Sequence, residues 1–197
     1  NTLLYRVSGA ENTKNYKLME DIIMKEMYKQ FYNKKTSKVL VPLNSKKGDL
    51  FKMEVINGRA DMYDYVEYDF VELEGTEKQV AWADDIRYEI VIKIQAKVEE
   101  ILEEVEDEVK EGDLEHEYSK KQLKRLLGTE EDDLDFLVEY AKKLVPFVLT
   151  NFREASSYID NRACLSSLFG TPTYGHPMAP KKWVFNTKTI FEKMLEK

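Results

Sequence analysis

The feature that most constrains this fold is an apolar stripe of helical period through the middle of the chain. Thr76 and Gln79 open it with the three-residue spacing of a capping box. Apolar residues then recur mostly at intervals of three and four: Val80, Ala83, Ile86, Ile90, Val91, Ile94, Val98, Ile101, Val105 and Val109. The stripe predicts one helix of about 50 Å that ends at Gly112. The capping box therefore marks a sharp boundary near residue 75.

The first 75 residues mix strand and helix signals. Short apolar runs predict strands at 3–7, 38–43, 50–56 and 63–73, and Asn57-Gly58 is a hairpin turn signal. Residues 17–32 carry apolar side chains at helical spacing. These signals predict a small antiparallel sheet with one helix packed on it.

The chain after the long helix reads as mainly helical. A helix at 119–127 is closed by Gly128, and Thr129 is predicted to cap the next helix, which Pro146 kinks or ends. Another helical segment follows at 156–163, and a terminal helix is capped near Asn186 or Thr187. The predicted fold is α+β, with a small antiparallel sheet and one helix, then a long helix and a helical C-terminal half. Its units are 1–75, a small α+β sheet unit, and 76–197, a mainly helical unit, or the two form one continuous domain.

Composition is that of a folded, soluble intracellular protein. Hydrophobic residues make up 43% and charged residues 34% of the 197 positions. No apolar run reaches the roughly 18–20 residues of a membrane span, and no signal-peptide pattern opens the chain. The single cysteine, Cys164, cannot form an internal disulfide. We therefore expect a cytoplasmic protein that does not bind a membrane.

Two short segments resemble a known group. Residues 75–87 read GTEKQVAWADDIR, and residues 155–162 read ASSYIDNR. They resemble the GT-x-KQ-x-AWA-x-x-IR helix start and the later A-x-x-WIDNR segment of small proteins from bacteria, phages and mobile elements, with Tyr158 in place of the usual Trp. The resemblance implies a mobile-element origin and no catalytic residues. Its signature residues here are Thr76, Gln79, Trp82, Arg87, Asp160, Asn161 and Arg162.

The signature residues have a structural and a functional interpretation. Trp82 is expected to fill the junction between helix and sheet, with Arg87 and Arg162 pairing with nearby aspartates to fix two helices together. The alternative is a polar binding site where the two segments meet.

Charge is concentrated on the second half of the long helix and just beyond it. Residues 99–117 contain eleven acidic side chains and one basic side chain, Lys110, whereas the whole chain has a net charge of −7. A row of acidic side chains with so few basic neighbours favours contact with a basic protein. The alternative is that the row is simply a helix face exposed to solvent. The predicted contact residues are Glu99, Glu100, Glu103, Glu104, Glu106, Asp107, Glu108 and Glu111.

Two other surfaces remain open as interaction sites. Aromatic and basic residues near the C-terminus could contact nucleic acid directly, with Tyr174, Lys181, Lys182 and Lys188 as the predicted contacts. The seam at 91–105, with apolar residues spaced three and four apart, could pair with a second copy in a homo-oligomer.

Catalytic signals are weak throughout the chain. There is no Walker A, GxGxxG, HExxH or GxSxG motif. Cys164 and His176 lack a supporting motif, and Glu115-His116-Glu117 lacks the second half of a metal site. We therefore predict no catalytic residues, no metal and no cofactor.

These observations together favour a non-enzymatic interaction protein of a phage or mobile element. The expected action is to inhibit or modulate a host nucleic-acid-processing protein through the acidic helix face, as an anti-CRISPR protein does. The alternatives are a nucleic-acid-binding accessory factor and a structural or oligomerisation module.

Overall fold

A computed structural model describes residues 32–33, 36–43, 64–113, 115–162, 168–169 and 186–197. Within them a three-stranded antiparallel sheet is followed by five helices, which confirms the α+β prediction. The strands are β1 (Tyr32–Asn33), β2 (Lys38–Pro42) and β3 (Tyr65–Asp69). The helices are α1 (Glu77–Glu111), α2 (Glu117–Leu127), α3 (Leu134–Asn151), α4 (Ala155–Asn161) and α5 (Thr187–Leu195).

The described sheet has the order β1-β2-β3, and Val39 of β2 pairs with Tyr32 on one side and Tyr68 on the other. The strands predicted at 38–43 and 63–73 are therefore confirmed in their central parts. The predicted helix at 17–32 is wrong at its last residue, because Tyr32 pairs in β1 and its ring packs edge-on against Phe70. The rest of that helix and the strands predicted at 3–7 and 50–56 lie outside the described residues.

Helix α1 has the predicted length and both predicted ends. Thr76 Oγ1 accepts from the Gln79 backbone N–H at 3.3 Å, and the Thr76 N–H donates to Gln79 Oε1 at 3.0 Å. At the other end Gly112 adopts φ 81°, the left-handed conformation that glycine tolerates best. The capping box and the glycine stop thus fix a 35-residue helix.

The apolar stripe of α1 is buried within the chain itself from Ala83 to Ile101, whereas Val109 near its end is 54% exposed. Val91, Ile94 and Ile101 have no exposed surface, and Val98 is only 3% exposed. Since α3, α4 and α2 pack along α1, the seam at 91–105 is an intramolecular packing surface in this conformation. A second copy could reach these side chains only by displacing those helices.

The starts of the next two helices differ from the sequence predictions. Helix α2 begins two residues earlier than predicted, and it ends as predicted at Gly128, with φ 68°. Thr129 does not cap α3. Asp133 does, because its carboxylate accepts from the Phe136 N–H at 3.0 Å, whereas Thr129 Oγ1 accepts from the N–H of Glu131.

The later helices follow the sequence closely. Pro146 lies inside α3 and does not end it, and the Thr150 hydroxyl donates to the Pro146 carbonyl at 2.8 Å. Asn186 caps α5 as predicted, through a hydrogen bond from the Thr189 N–H at 3.1 Å.

Sheet and helices share one core. The Tyr88 hydroxyl on α1 donates to the Leu40 carbonyl of β2 at 2.7 Å, and the Tyr68 hydroxyl of β3 donates to Gln95 Oε1 at 2.8 Å. Buried side chains from β1, β2 and all five helices form a continuous apolar cluster. None of the helices in the described ranges combines the length and apolar character that crossing a bilayer requires.

Candidate functional site

The eight predicted contact carboxylates divide into two groups. Five side chains are exposed, and we refer to them as the acidic strip: Glu100, Glu103, Glu106, Asp107 and Glu111. At about 100° per residue they fall within about 140° of the helix circumference, so one partner surface can reach them all. Lys97 pairs with Glu100 and Lys110 with Asp107, each at 2.8 Å. Glu103, Glu106 and Glu111 have no ion-pair partner among the described residues.

Glu108 connects α1 to α2. Its Oε1 accepts from the Ser119 backbone N–H, and its Oε2 lies against His116 Nδ1, both at 3.1 Å. Burial acts to raise the pKa of Glu108, but the hydrogen bonds from Ser119 and His116 outweigh it and lower that pKa. The Ser119 Oγ is buried without a hydrogen-bond partner in the described structure, so the backbone N–H is the effective donor. Glu108 therefore stabilises the start of α2, where its charge also suits the helix dipole.

Glu99 and Glu104 are also only half-exposed. Glu99 Oε1 accepts from Gln95 Nε2 at 2.7 Å, which continues the hydrogen-bonded connection from Tyr68 on the sheet. Glu104 Oε2 is buried without a partner among the described residues, and desolvation raises the pKa of Glu104, with Glu100 and Glu108 adding to the effect. These two glutamates and Glu108 belong more to the body of the protein than to its outer surface.

The two signature segments lie side by side in the structure. Glu74 and Glu154 form a parallel bridge, the Ala155 N–H donates to the Glu74 carbonyl at 3.0 Å, and the Glu74 N–H donates to the Arg153 carbonyl at 2.7 Å. Gly75 lies so close to Ala155 that a side-chain Cβ at Gly75 would be 3.1 Å from the Ala155 Cβ. Its φ of 156° also favours glycine. The start of α1 is thereby fixed against the start of α4.

A buried ion pair underlies this junction. Arg87 has no exposed surface, and its Nη2 donates to Asp84 Oδ1 at 2.7 Å while its Nη1 donates to the Val71 carbonyl at 2.8 Å. The guanidinium also lies over the rings of Tyr32, at 4.9 Å, and Phe70, at 5.5 Å. Burial raises the pKa of the nearby Tyr158 phenol, which keeps that hydroxyl neutral as a donor. Arg87 thus pairs with an aspartate as predicted, but Asp84 lies on the same helix, so Arg87 joins α1 to the sheet side of the core and not to a second helix.

Trp82 does not fill the junction between helix and sheet. Its side chain is 48% exposed, because the face of α1 that carries it turns away from the sheet, and buried Tyr32, Phe70 and Tyr88 occupy the junction instead. The core-plug prediction is therefore wrong. The exposed Trp82 ring instead supports the Arg162 guanidinium, whose Cζ lies 4.8 Å from the ring centroid.

The second segment contributes one buried and two exposed polar residues. Asn161 is buried and donates to the Ser157 carbonyl at 2.7 Å, and Asp160 is exposed. Arg162 is exposed, and its Nη1 donates to the Ile159 carbonyl at 2.7 Å. The meeting of the two segments therefore presents an outward pair of Trp82 and Arg162 above a buried, hydrogen-bonded base.

Asp85 is a residue that sequence reasoning did not single out as a site. It lies one turn after Trp82, and desolvation raises its pKa from 3.8 to about 7, although the residue as a whole stays exposed. No cation among the described residues pairs with its carboxylate. The only signal in the sequence was its position, three residues after an exposed tryptophan on the same helix.

The basic C-terminal surface is described only at Lys188. Its ammonium group lies 3.9 Å from Glu192, and its aliphatic part covers Gly128 so closely that a Cβ there would be 2.6 Å from Lys188 Cγ. Tyr174, Lys181 and Lys182 lie outside the described residues, as do Cys164 and His176. The nucleic-acid prediction for this surface stays a prediction.

The remaining features do not point to a single ligand class. A cleft of about 740 Å³ at the start of α2 has basic and acidic side chains in its lining, and within it Lys124 pairs with Asp132 at 2.5 Å. Within the described ranges, no three His, Cys, Asp or Glu side chains are grouped so that they could hold a metal ion. A comparison of the chain with protein-family models, curated proteins and solved structures finds no match.

Proposed function

We propose that the chain is a non-enzymatic interaction protein of a phage or mobile element, acting in the cytoplasm of a bacterial host. In this proposal the acidic strip on α1 binds a basic surface of a host nucleic-acid-processing protein and inhibits or modulates it. The observation that supports it is a row of exposed carboxylates, only two of which have a lysine partner among the described residues.

The charge density of the acidic strip suits a groove that normally holds nucleic acid. From Glu100 to Glu111 the helix rises about 17 Å, so its five carboxylates, with four intervals between them, occur about once every 4 Å. One strand of B-DNA carries a charge about every 3.4 Å along the axis. A basic groove that matches phosphate spacing would therefore meet a similar number of charges on the strip.

The strip is also held in place by the rest of the fold. Ile101 on the opposite face of α1 is fully buried, and Glu108 fixes the end of α1 to α2. A rigid helix loses little conformational entropy when it binds, which favours a partner over mere solvation of the charges.

Affinity capture from a bacterial lysate tests the proposal. The immobilised chain is expected to retain a nucleic-acid-binding protein, and added DNA or RNA should compete for that protein. The variant Glu103→Lys, Glu106→Lys, Glu111→Lys should lose it, because all three side chains are exposed and carry no described ion pair. Retention of the same protein by this variant would contradict the proposal.

A matched control separates the site from the overall charge. Glu72→Lys, Glu130→Lys, Glu196→Lys changes the net charge equally at exposed positions outside the strip. This control should retain the partner as the natural chain does. Equal loss in both variants would show that only net charge matters, which would also contradict the proposal.

A further inference from the structure

The exposed ring of Trp82 carries one cation on its face and lies one helical turn from a second. Lys78 lies one turn before Trp82 on α1 and is exposed, and Arg162 stacks on the ring from α4. Neither cation pairs with a carboxylate among the described residues. We propose that Lys78, Trp82 and Arg162 form a docking point for a protein segment that presents a carboxylate beside an apolar side chain. This site is separate from the acidic strip and takes a ligand of opposite charge.

The guanidinium of Arg162 is oriented before any ligand arrives. Its Nη1 is anchored on the Ile159 carbonyl at 2.7 Å, and its plane is supported by the Trp82 ring at 4.8 Å. The edge formed by Nε and Nη2 makes no hydrogen bond to any described residue. That edge is the one that can bind a carboxylate with two parallel hydrogen bonds. An arginine already held in place loses less side-chain entropy when it binds.

The contrast with Arg87 supports a binding role. Arg87 belongs to the same signature segment as Trp82, and it is fully buried with Asp84 as its carboxylate partner. Arg162 comes from the other segment and has an aromatic support without a carboxylate. A carboxylate supplied from outside would complete at Arg162 the arrangement that Asp84 completes at Arg87.

Trp82 supplies the apolar part of the site. Its side chain is 48% exposed on a helix that is otherwise fixed against α4 and the sheet. Tryptophan and arginine are the residues most enriched among interface hot spots, because they offer a large contact area with a polar edge. An apolar side chain next to the bound carboxylate would cover the indole.

The neighbouring charges favour a single carboxylate over a nucleic acid. Asp85 and Glu89 follow Trp82 on the exposed side of α1, and Asp160 lies close to Arg162 in the chain; all three are exposed. A nucleic acid that extends beyond the docking point would bring further phosphates close to these carboxylates, which would repel them. A single carboxylate bound by Lys78 and Arg162 would not bring such additional charges.

Selection from a random peptide library displayed on phage tests this inference. The target is the full chain with Glu103→Gln, Glu106→Gln and Glu111→Gln, so that basic peptides are not captured by the acidic strip. Enriched peptides are expected to carry Asp or Glu within two positions of an aromatic or aliphatic residue. Trp82→Ala and Arg162→Lys should each weaken the binding of a selected peptide at least fivefold. Arg162→Lys should do so because lysine keeps the positive charge but cannot donate two parallel hydrogen bonds to a carboxylate.

Arg125→Lys is the control, since Arg125 is an exposed arginine far along the chain on α2, and peptide affinity should not change. The inference is overturned if no peptide is enriched, if the enriched peptides are basic, or if they bind Arg162→Lys as tightly as the parent. Tight binding of a labelled oligothymidine that Trp82→Ala abolishes would also overturn it. Because the acidic strip is neutralised in every sample, failure here leaves the proposed function untouched.

Discussion

Replacing Arg87 by methionine should destabilise the protein strongly. The substitution removes the Nη2 hydrogen bond to Asp84, at 2.7 Å, and the Nη1 hydrogen bond to the Val71 carbonyl, at 2.8 Å. It also removes the cation over the Tyr32 ring. Since Asp84 is only 6% exposed, its charge would be left in the interior without its arginine.

The expected magnitude follows from that geometry. Breaking a buried ion pair by removing one partner costs about 3–5 kcal/mol, and we expect Arg87→Met to lower the free energy of unfolding by that amount. Asp84→Asn should cost a similar amount, because it leaves the arginine charge buried. The double variant should cost much less than the sum, since no uncompensated charge remains, with a coupling of at least about 2 kcal/mol.

Urea denaturation followed by circular dichroism measures these differences. Arg125→Met, at an exposed position, is the control and should change the free energy of unfolding by less than about 0.5 kcal/mol. A cost below about 1 kcal/mol for Arg87→Met, or additive single variants, would refute the reasoning that Arg87 joins α1 to the sheet.

Three further predictions concern single side chains. Because desolvation raises the pKa of Asp85 from 3.8 to about 7, ionisation of Asp85 costs stability increasingly between those pH values. Asp85→Asn should therefore stabilise the fold by about 1 kcal/mol at pH 8, allowing for solvent screening, and hardly at all at pH 4. Urea melts measure this difference, and a stabilisation that does not depend on pH would contradict the prediction. Glu108→Ala should cost about 1 kcal/mol and speed hydrogen exchange at the Ser119 amide, because that N–H loses its acceptor; unchanged exchange would argue against the cap. Trp82→Ala should lower the free energy of unfolding by less than about 1 kcal/mol, because the ring is exposed, and a loss of 3 kcal/mol or more would restore the core-plug interpretation.

The sequence predicted the long helix well because its signals were local. The Thr76–Gln79 capping box, the apolar stripe and Gly112 each act within a few residues, and all three appear in the structure. Helix periodicity also anticipated which residues of α1 are buried, such as Ile94 and Ile101. The fold class followed from these signals together with the two confirmed strands.

The errors arose where a choice depended on distant partners. Trp82 looked like a core residue by type, but the packing of the sheet and α4 against α1 leaves its side of the helix outside. Thr129 and Asp133 are both good caps by type, and Asp133 prevails because α3 starts directly after it. Tyr32 lies in a strand and not in the predicted helix because it pairs with Val39. The apolar spacing of residues 17–32 carries no information about that strand partner.

The candidate site was only partly readable from the sequence. The acidic run was evident, but its division into exposed and inward carboxylates needed helix geometry. Glu104 and Glu108 lie three and seven residues after the buried Ile101, so they border the apolar stripe, and that spacing already placed them beside the core. The stacking of Arg162 on Trp82 joins residues eighty positions apart and could not be read from either segment alone.

The most direct test of the central claim is the affinity between the chain and its captured partner at two salt concentrations. We predict that raising the salt from 50 to 300 mM weakens binding at least tenfold, because the acidic strip contributes mainly through charge. At 50 mM salt, binding should be abolished in the triple variant of the acidic strip, Glu103→Lys, Glu106→Lys, Glu111→Lys. The affinity should stay within about twofold of that of the natural chain in the charge-matched control, Glu72→Lys, Glu130→Lys, Glu196→Lys. Equal affinities for these two variants, or binding that does not change with salt, would contradict the claim that the acidic strip is the contact.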